Sequence, residues 1–262
     1  MINYRQIFRP FFCIFMVLSF FAIADSSELF NSNVEERRNF CKQIAIQAPN
    51  NLNGEIIQAL TVAFSDPDSI VRRHASSAVW RYSCAKKYTG KENIDIAQYP
   101  DLEQILLDGI NDQDEKVREF VISSFPGGLP GNKNLESLLI KRFEIEESSM
   151  VKSKILQSMI LLGYDSNETK QLFKKALKDG NPLVAGWAAC KMPDFNGLDV
   201  IPDLVAGLTS RDKFLRNRCS TAILSYGQEA EPFLVELQNS EQIRTPDIQN
   251  TIRLTLEEIR KD

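Results

Sequence analysis

His74 is the only histidine in the sequence. It stands beside Arg73 with no serine, cysteine or paired carboxylate spaced to use it as a base or to share a metal with it. General acid–base and nucleophilic chemistry need such a partner within hydrogen-bond reach, so His74 reads as a packed or surface residue. The cysteines are the other reactive side chains, five in all, and none shows the C-x-x-C spacing of a zinc or redox site. Cys41 and Cys84 form a candidate disulfide, whereas Cys190 and Cys219 fall on different faces of neighbouring helices; free buried thiols are the alternative for all four. Gly127-Gly128-Leu129-Pro130-Gly131 is glycine-rich but lacks both phosphate-cradling arrangements, and after Pro126 it reads as a linker between elements. The residues thus offer no catalytic set, no metal ligands and no cofactor site. The chain is expected not to be an enzyme.

Charge narrows the partners. Lys and Arg total 31 against 35 Asp and Glu in 262 residues, a formal charge of −4. That balance does not favour nucleic acid, which draws proteins with a basic excess. It favours instead a protein partner with a basic patch. With 43% hydrophobic and 25% charged residues the composition is that of a folded globular chain.

The first 24 residues read as a secretory signal peptide: Arg5 and Arg9, then the apolar run 11–24, then Ala22-Ile23-Ala24 before Asp25. Fourteen helical residues span about 21 Å, too short to cross a membrane core of roughly 30 Å. The expectation is an exported protein, periplasmic in a Gram-negative bacterium and otherwise extracellular. No membrane span is expected after cleavage. Residues 25–53 then supply an N-terminal segment with a capping helix around 33–48, and residues 54–262 the folded domain.

The elements that must position any functional side chain emerge from an internal repeat. Val71, Val117, Val151, Val184, Leu215 and Ile248 each open a pattern with small or apolar residues four, seven and eight places on. Those offsets share one helical face; Lys191, at offset seven of the fourth unit, is the one clear violation. Successive starts lie 46, 34, 33, 31 and 33 residues apart. Eleven residues before each start is another apolar residue in its own amphipathic run, and Asp, Asn, Gly and Pro stand between the two, so each unit is helix, tight turn, helix. No stretch alternates with period two between hairpin turns. The predicted fold is all-α, a solenoid of about six helix-turn-helix repeats with an N-terminal capping helix. The long first interval leaves an insertion within residues 86–101, a tolerated surface loop or a place for specificity.

The segments DPDSIVRRHASSAV (66–79), DQDEKVREFVISSF (112–125) and SRDKFLRNRCSTAI (210–223) share an Asp-x-Asp-x-x-Val-Arg-x-x-Ala pattern. It resembles HEAT repeats, particularly the short variety first described in phycobilisome lyases. The resemblance spans about 54–262 and implies a right-handed α-solenoid whose second helices line a concave, protein-binding face. Arg72, Arg118, Lys152 and Arg216, with Asp68, Asp114 and Asp212, are expected to form a structural ladder between neighbouring turns.

Offsets 2, 5, 6 and 9 of the second helices point away from the apolar stripe. Trp80, Ile122, Leu156, Ile160, Leu224 and Leu254 would then form an apolar strip, edged by Arg73, Glu119 and Arg253. Such a strip is the composition of a protein-binding surface. The expected function is an exported protein-binding scaffold, in its most concrete form an inhibitor or immunity-type protein acting on an envelope toxin or hydrolase. The alternatives are an envelope assembly factor or, by analogy with the lyase branch of the family, an enzyme acting on bilins.

Overall fold

The computed structural model describes residues 33–261 apart from positions 49, 51, 196 and 241–244; the expected signal peptide lies outside the described residues. Fourteen α-helices and no strand occur among them. Among the described residues the helix α1 (Val34–Gln47) comes first, and six pairs follow. The pairs are α2 (Gly54–Ala63) with α3 (Ser69–Ser83), α5 (Pro100–Gly109) with α6 (Glu115–Gly128), and α7 (Leu135–Ile145) with α8 (Ser149–Leu161). Next come α9 (Asn167–Leu177) with α10 (Pro182–Lys191), α11 (Ile201–Gly207) with α12 (Lys213–Leu224), and α13 (Glu231–Gln238) with α14 (Pro246–Ile259). A short α4 (Ala85–Thr89) and the 3-10 turn Ile96–Gln98 belong to the insertion. The second helices pack side by side in one continuous row, α1–α3–α6–α8–α10–α12–α14, over the first helices. This is an all-α helical-repeat solenoid. The repeat residues build its core: Val71, Val117, Val151 and Val184, with the offset-four and offset-eight side chains that follow them, are all buried.

The connecting loops show why Asp-x-Asp recurs. The second acid caps its helix: Asp68 accepts from the Ile70 and Val71 N–H groups, Asp114 from Lys116 and Val117, and Asp212 from Leu215. The first acid faces both ways. Asp112 accepts the Asp114 N–H at 2.8 Å and takes Arg72 of the preceding second helix, Nε to Oδ2, at 2.7 Å. Arg72 also donates to the Asp66 and Pro67 carbonyls of its own loop. The same rung joins Arg37 to Asp66, Arg118 to Glu146 and Lys152 to Asp179. Arg37 and Arg38 thus bring α1 into the row beside α3, in the place of a second helix. The step from α10 to α12 has no such rung. Ala185 replaces the basic residue on α10 and Ser210 the acid before α12, so both partners are absent together.

Lys191 resolves its violation of the pattern by lying along the core with its ammonium on Asp194 at 2.7 Å and over the Phe195 ring at 5.7 Å.

Pro126 does not end its helix; α6 continues to Gly128. Proline lacks an N–H and so leaves the Ile122 carbonyl, four residues earlier, without its helical donor. The Ser158 hydroxyl of α8 donates to that carbonyl at 2.8 Å in a buried setting. Ser158→Ala is therefore expected to lower stability by about 1–3 kcal/mol, the cost of an unpaired buried carbonyl. In a Pro126→Ala background, which restores the N–H, the same substitution should cost much less. A urea double-mutant cycle showing no coupling would contradict this account.

Gly127 and Gly128 are a packing surface rather than a linker. A Cβ on Gly127 would lie 1.8 Å from the Ser83 carbonyl oxygen, and one on Gly128 would lie 2.3 Å from Ile96 Cδ1. The insertion docks at this point, with Ile94 and Ile96 buried and the Ile94 N–H donating to the Tyr82 carbonyl. It is therefore not simply a surface loop.

Candidate functional site: the outer face of the second helices

Each second helix packs against its own first helix and against the second helix on either side, so most of its circumference is covered. Offset 5 faces the next helix in the row. There Ser76, Ile122, Leu156 and Ala189 are fully buried, and Ser220 hydroxyl-bonds Thr255 of α14. Only on α14, the last helix described in the row, is offset 5 exposed, as Arg253. The face open to solvent centres instead on offsets −1, 3, 6 and 10, where no residue is fully buried.

The predicted strip is corrected accordingly. Ile122 and Leu156 are core residues at 0% exposure. Ile160 is half-buried against the core. Trp80 is half-buried and packs its ring against Phe120 of α6, centroids 5.7 Å apart. Leu224 and Leu254 do reach solvent, but on helices remote from Trp80. Of the polar residues, Arg73 binds Asp114 of the next loop, Glu119 accepts from Lys116 at 2.8 Å, and Arg253 bonds Glu257 and Asn250. Six side chains proposed as one strip are therefore not one surface.

What the structure does assemble lies at α10 and α12. Trp187 at offset 3 of α10 and Phe214 at offset −1 of α12 have ring centroids 6.1 Å apart. Gly186 makes room for Phe214, whose Cε1 lies 2.4 Å from where a Cβ would stand. The Arg218 guanidinium sits over both rings, 5.0 Å from Trp187 and 5.1 Å from Phe214. This contact replaces the missing rung between Ala185 and Ser210. Of the nine exposed large hydrophobic side chains among the described residues, six are on the second-helix row, including Met150, Leu161 and Leu224. The signal was present in the repeat alignment. Offset 3 reads His74, Phe120, Lys154, Trp187, Arg218 and Thr251, whereas offset 5 is small or apolar through five units.

The reactive side chains are quiet. Burial, aided by Lys42, pushes His74 below its ordinary value. The four cysteines among the described residues form no disulfide, and burial raises Cys41 and Cys219 to about 12. The proposed Cys41–Cys84 bridge is not formed. Cys41 sits one turn beyond Arg37, level with Ser76 in the parallel helix, and Cys84 follows the end of that helix eight residues on. That is about 12 Å along the axis, beyond the roughly 7 Å a disulfide can span. No group of three or more metal-ligating side chains occurs among the described residues, and none of their helices is long and apolar enough to cross a membrane.

No family model matches the sequence and no curated protein matches it. Solved structures do match in shape. The X-ray structure of YibA from Escherichia coli is 14% identical, each chain covered in full, with a TM-score of 0.57. An engineered protein is 15% identical over 90% of this chain and 67% of its own, with a TM-score of 0.52. A designed armadillo repeat protein in complex with the peptide (KR)4 covers 89% of this chain and 97% of its own, at 16% identity and a TM-score of 0.43.

Proposed function

We propose that the protein is a binding scaffold of the HEAT-like kind that engages another protein through the outer face of its second helices. The observation that carries this reading is the gathering of exposed apolar side chains and aromatic pairs on that row, with Trp187, Phe214 and Arg218 at its most elaborate point. Trp and Arg held in an apolar surround are the composition that anchors protein interfaces. The HEAT-like assignment draws on the Asp-x-Asp loops and their ladder. The Phe11–Ala24 run supports a site of action outside the cytoplasm, where an inhibitor of an envelope hydrolase or toxin would act by covering its target without turnover. The overall acidity that suggested a basic partner does not describe this face. Asp66, Asp112, Asp114, Glu146 and Asp179 each hold a cation of a neighbouring helix.

A photo-crosslinking amino acid at Thr221, on the second-helix face, should trap one discrete partner in extracts of the native source. The same group at Gln171, exposed on the first helix α9, should not. Cross-links from Gln171 alone would refute the assignment of the face. For export, the native protein should begin at Asp25 by mass spectrometry; an intact Met1 terminus would refute it.

A further inference from the structure

The helices α8, α10 and α12 contain no aspartate or glutamate, yet they carry Lys152, Lys154, Lys191, Lys213, Arg216 and Arg218. Lys152, Lys191 and Arg216 point to the edges of the row, where Asp179, Asp194 and Asp247 lie within ion-pair distance. Lys154, Lys213 and Arg218 have no carboxylate partner among the described residues. In an acidic chain whose loop acids are systematically paired, this stretch of surface is a local excess of unneutralised positive charge.

Arg218 is also preorganised. Its guanidinium plane is held by Trp187 and Phe214, with the Cys190 thiol also against it, so little side-chain freedom remains to be lost when a ligand arrives, and no carboxylate among the described residues pairs with it. The ladder arginines Arg37, Arg72 and Arg118 look different, each closed on a carboxylate. Exposed Met150 and Leu161 flank the charges on α8.

Resting on the second-helix reading, we propose that the α8–α10–α12 face binds an extended acidic segment of a partner protein, with a carboxylate on Arg218 and another on Lys154. Adjacent helices pack about 8–10 Å apart, so α8 and α12 are roughly 16–20 Å apart. An extended chain at about 3.3 Å per residue covers that in about five to six residues. The preferred segment therefore carries two acids at about that spacing, with an apolar side chain between them for Trp187.

The test is selection of a random peptide library on the full chain, followed by anisotropy titration of the enriched peptides. The expected winners are acidic and bind more weakly as salt rises. They lose at least tenfold in affinity to Arg218→Gln and severalfold to Lys154→Gln, with Arg218→Lys in between because a lysine keeps the charge but not the planar fork. If Arg218→Gln fails to fold by circular dichroism, Lys154→Gln carries the test. Winners that are neutral or basic, or acidic winners indifferent to both substitutions, overturn the acidic assignment while leaving the binding face intact. Enrichment of nothing, or of peptides that cross-link only to Gln171, overturns the face as well.

Discussion

Glu146→Ala is expected to remove about 3–5 kcal/mol of stability at pH 7, read by urea denaturation. The Glu146 side chain is wholly shielded from solvent. It accepts from Arg118 at 2.8 and 2.9 Å, from Arg142 at 2.7 and 2.9 Å, and from the Glu147 and Ser148 N–H groups at the mouth of α8. Alanine would leave two guanidiniums side by side in a dry interface with no anion between them. An exposed pair provides the contrast. Arg260→Ala, which removes a 2.7 Å contact to Glu231 at the surface, should cost less than about 1 kcal/mol. Equal losses from the two substitutions would show that the Glu146 cluster is no more than a surface pair.

Acid gives an independent reading of the same residue. Burial works to raise the Glu146 carboxyl, but the bonds from Arg118, the Ser148 N–H and Arg142 outweigh it and hold the group at about 2, against an ordinary 4.5. A carboxyl depressed on folding contributes stability that is fully present above its ordinary value and is lost as pH falls toward the folded one. The difference in stability between the native protein and Glu146→Gln should therefore narrow from about pH 4.5 downward. A constant difference across that range would mean that the charge of Glu146 is not what stabilises the loop.

Gly127→Ala is the second large effect, with an expected loss of about 3 kcal/mol. The new methyl would lie 1.8 Å from a backbone carbonyl oxygen, that of Ser83, which cannot rotate away as a side-chain end could. Helix α3 would have to move off α6, and with it the docked insertion whose Asn93 amide lies 3.1 Å from the same point. Gly131, four residues on in the same glycine-rich run, has nothing within 4 Å of a Cβ. Gly131→Ala should fall within about 0.5 kcal/mol of the native protein. Thermal melts of the two variants separate packing from linker flexibility. If both are tolerated alike, the run is a linker after all.

The repeat itself was legible because its cause is local. A valine or leucine with small or apolar residues four, seven and eight places on makes a helix with one buried face, whatever it packs against. Asp68, Asp114 and Asp212 cap the helices that directly follow them, so their role too could be read from spacing. Even the ladder was visible as Arg72, Arg118 and Lys152 recurring one place after each start.

Other features depend on which surfaces meet. Offset 5 belongs to the core only because the next second helix lies on that side, so Ile122 and Leu156 are buried while Arg253, on the last helix described, is exposed. Pro126 reads as a helix stop until Ser158, from another repeat, supplies the donor its neighbour lacks. The Gly127–Gly128 pair reads as flexible until Ser83 and Ile96 arrive against it. Arg218 gains its meaning from Trp187, 31 residues away in the chain and 5.0 Å away in space. Periodicity determined what each helix buries toward its own partner, because that pairing is short-range. The stacking of one repeat on the next decided what remained exposed, because that contact is made between residues a full repeat apart and leaves no mark on the period of either helix.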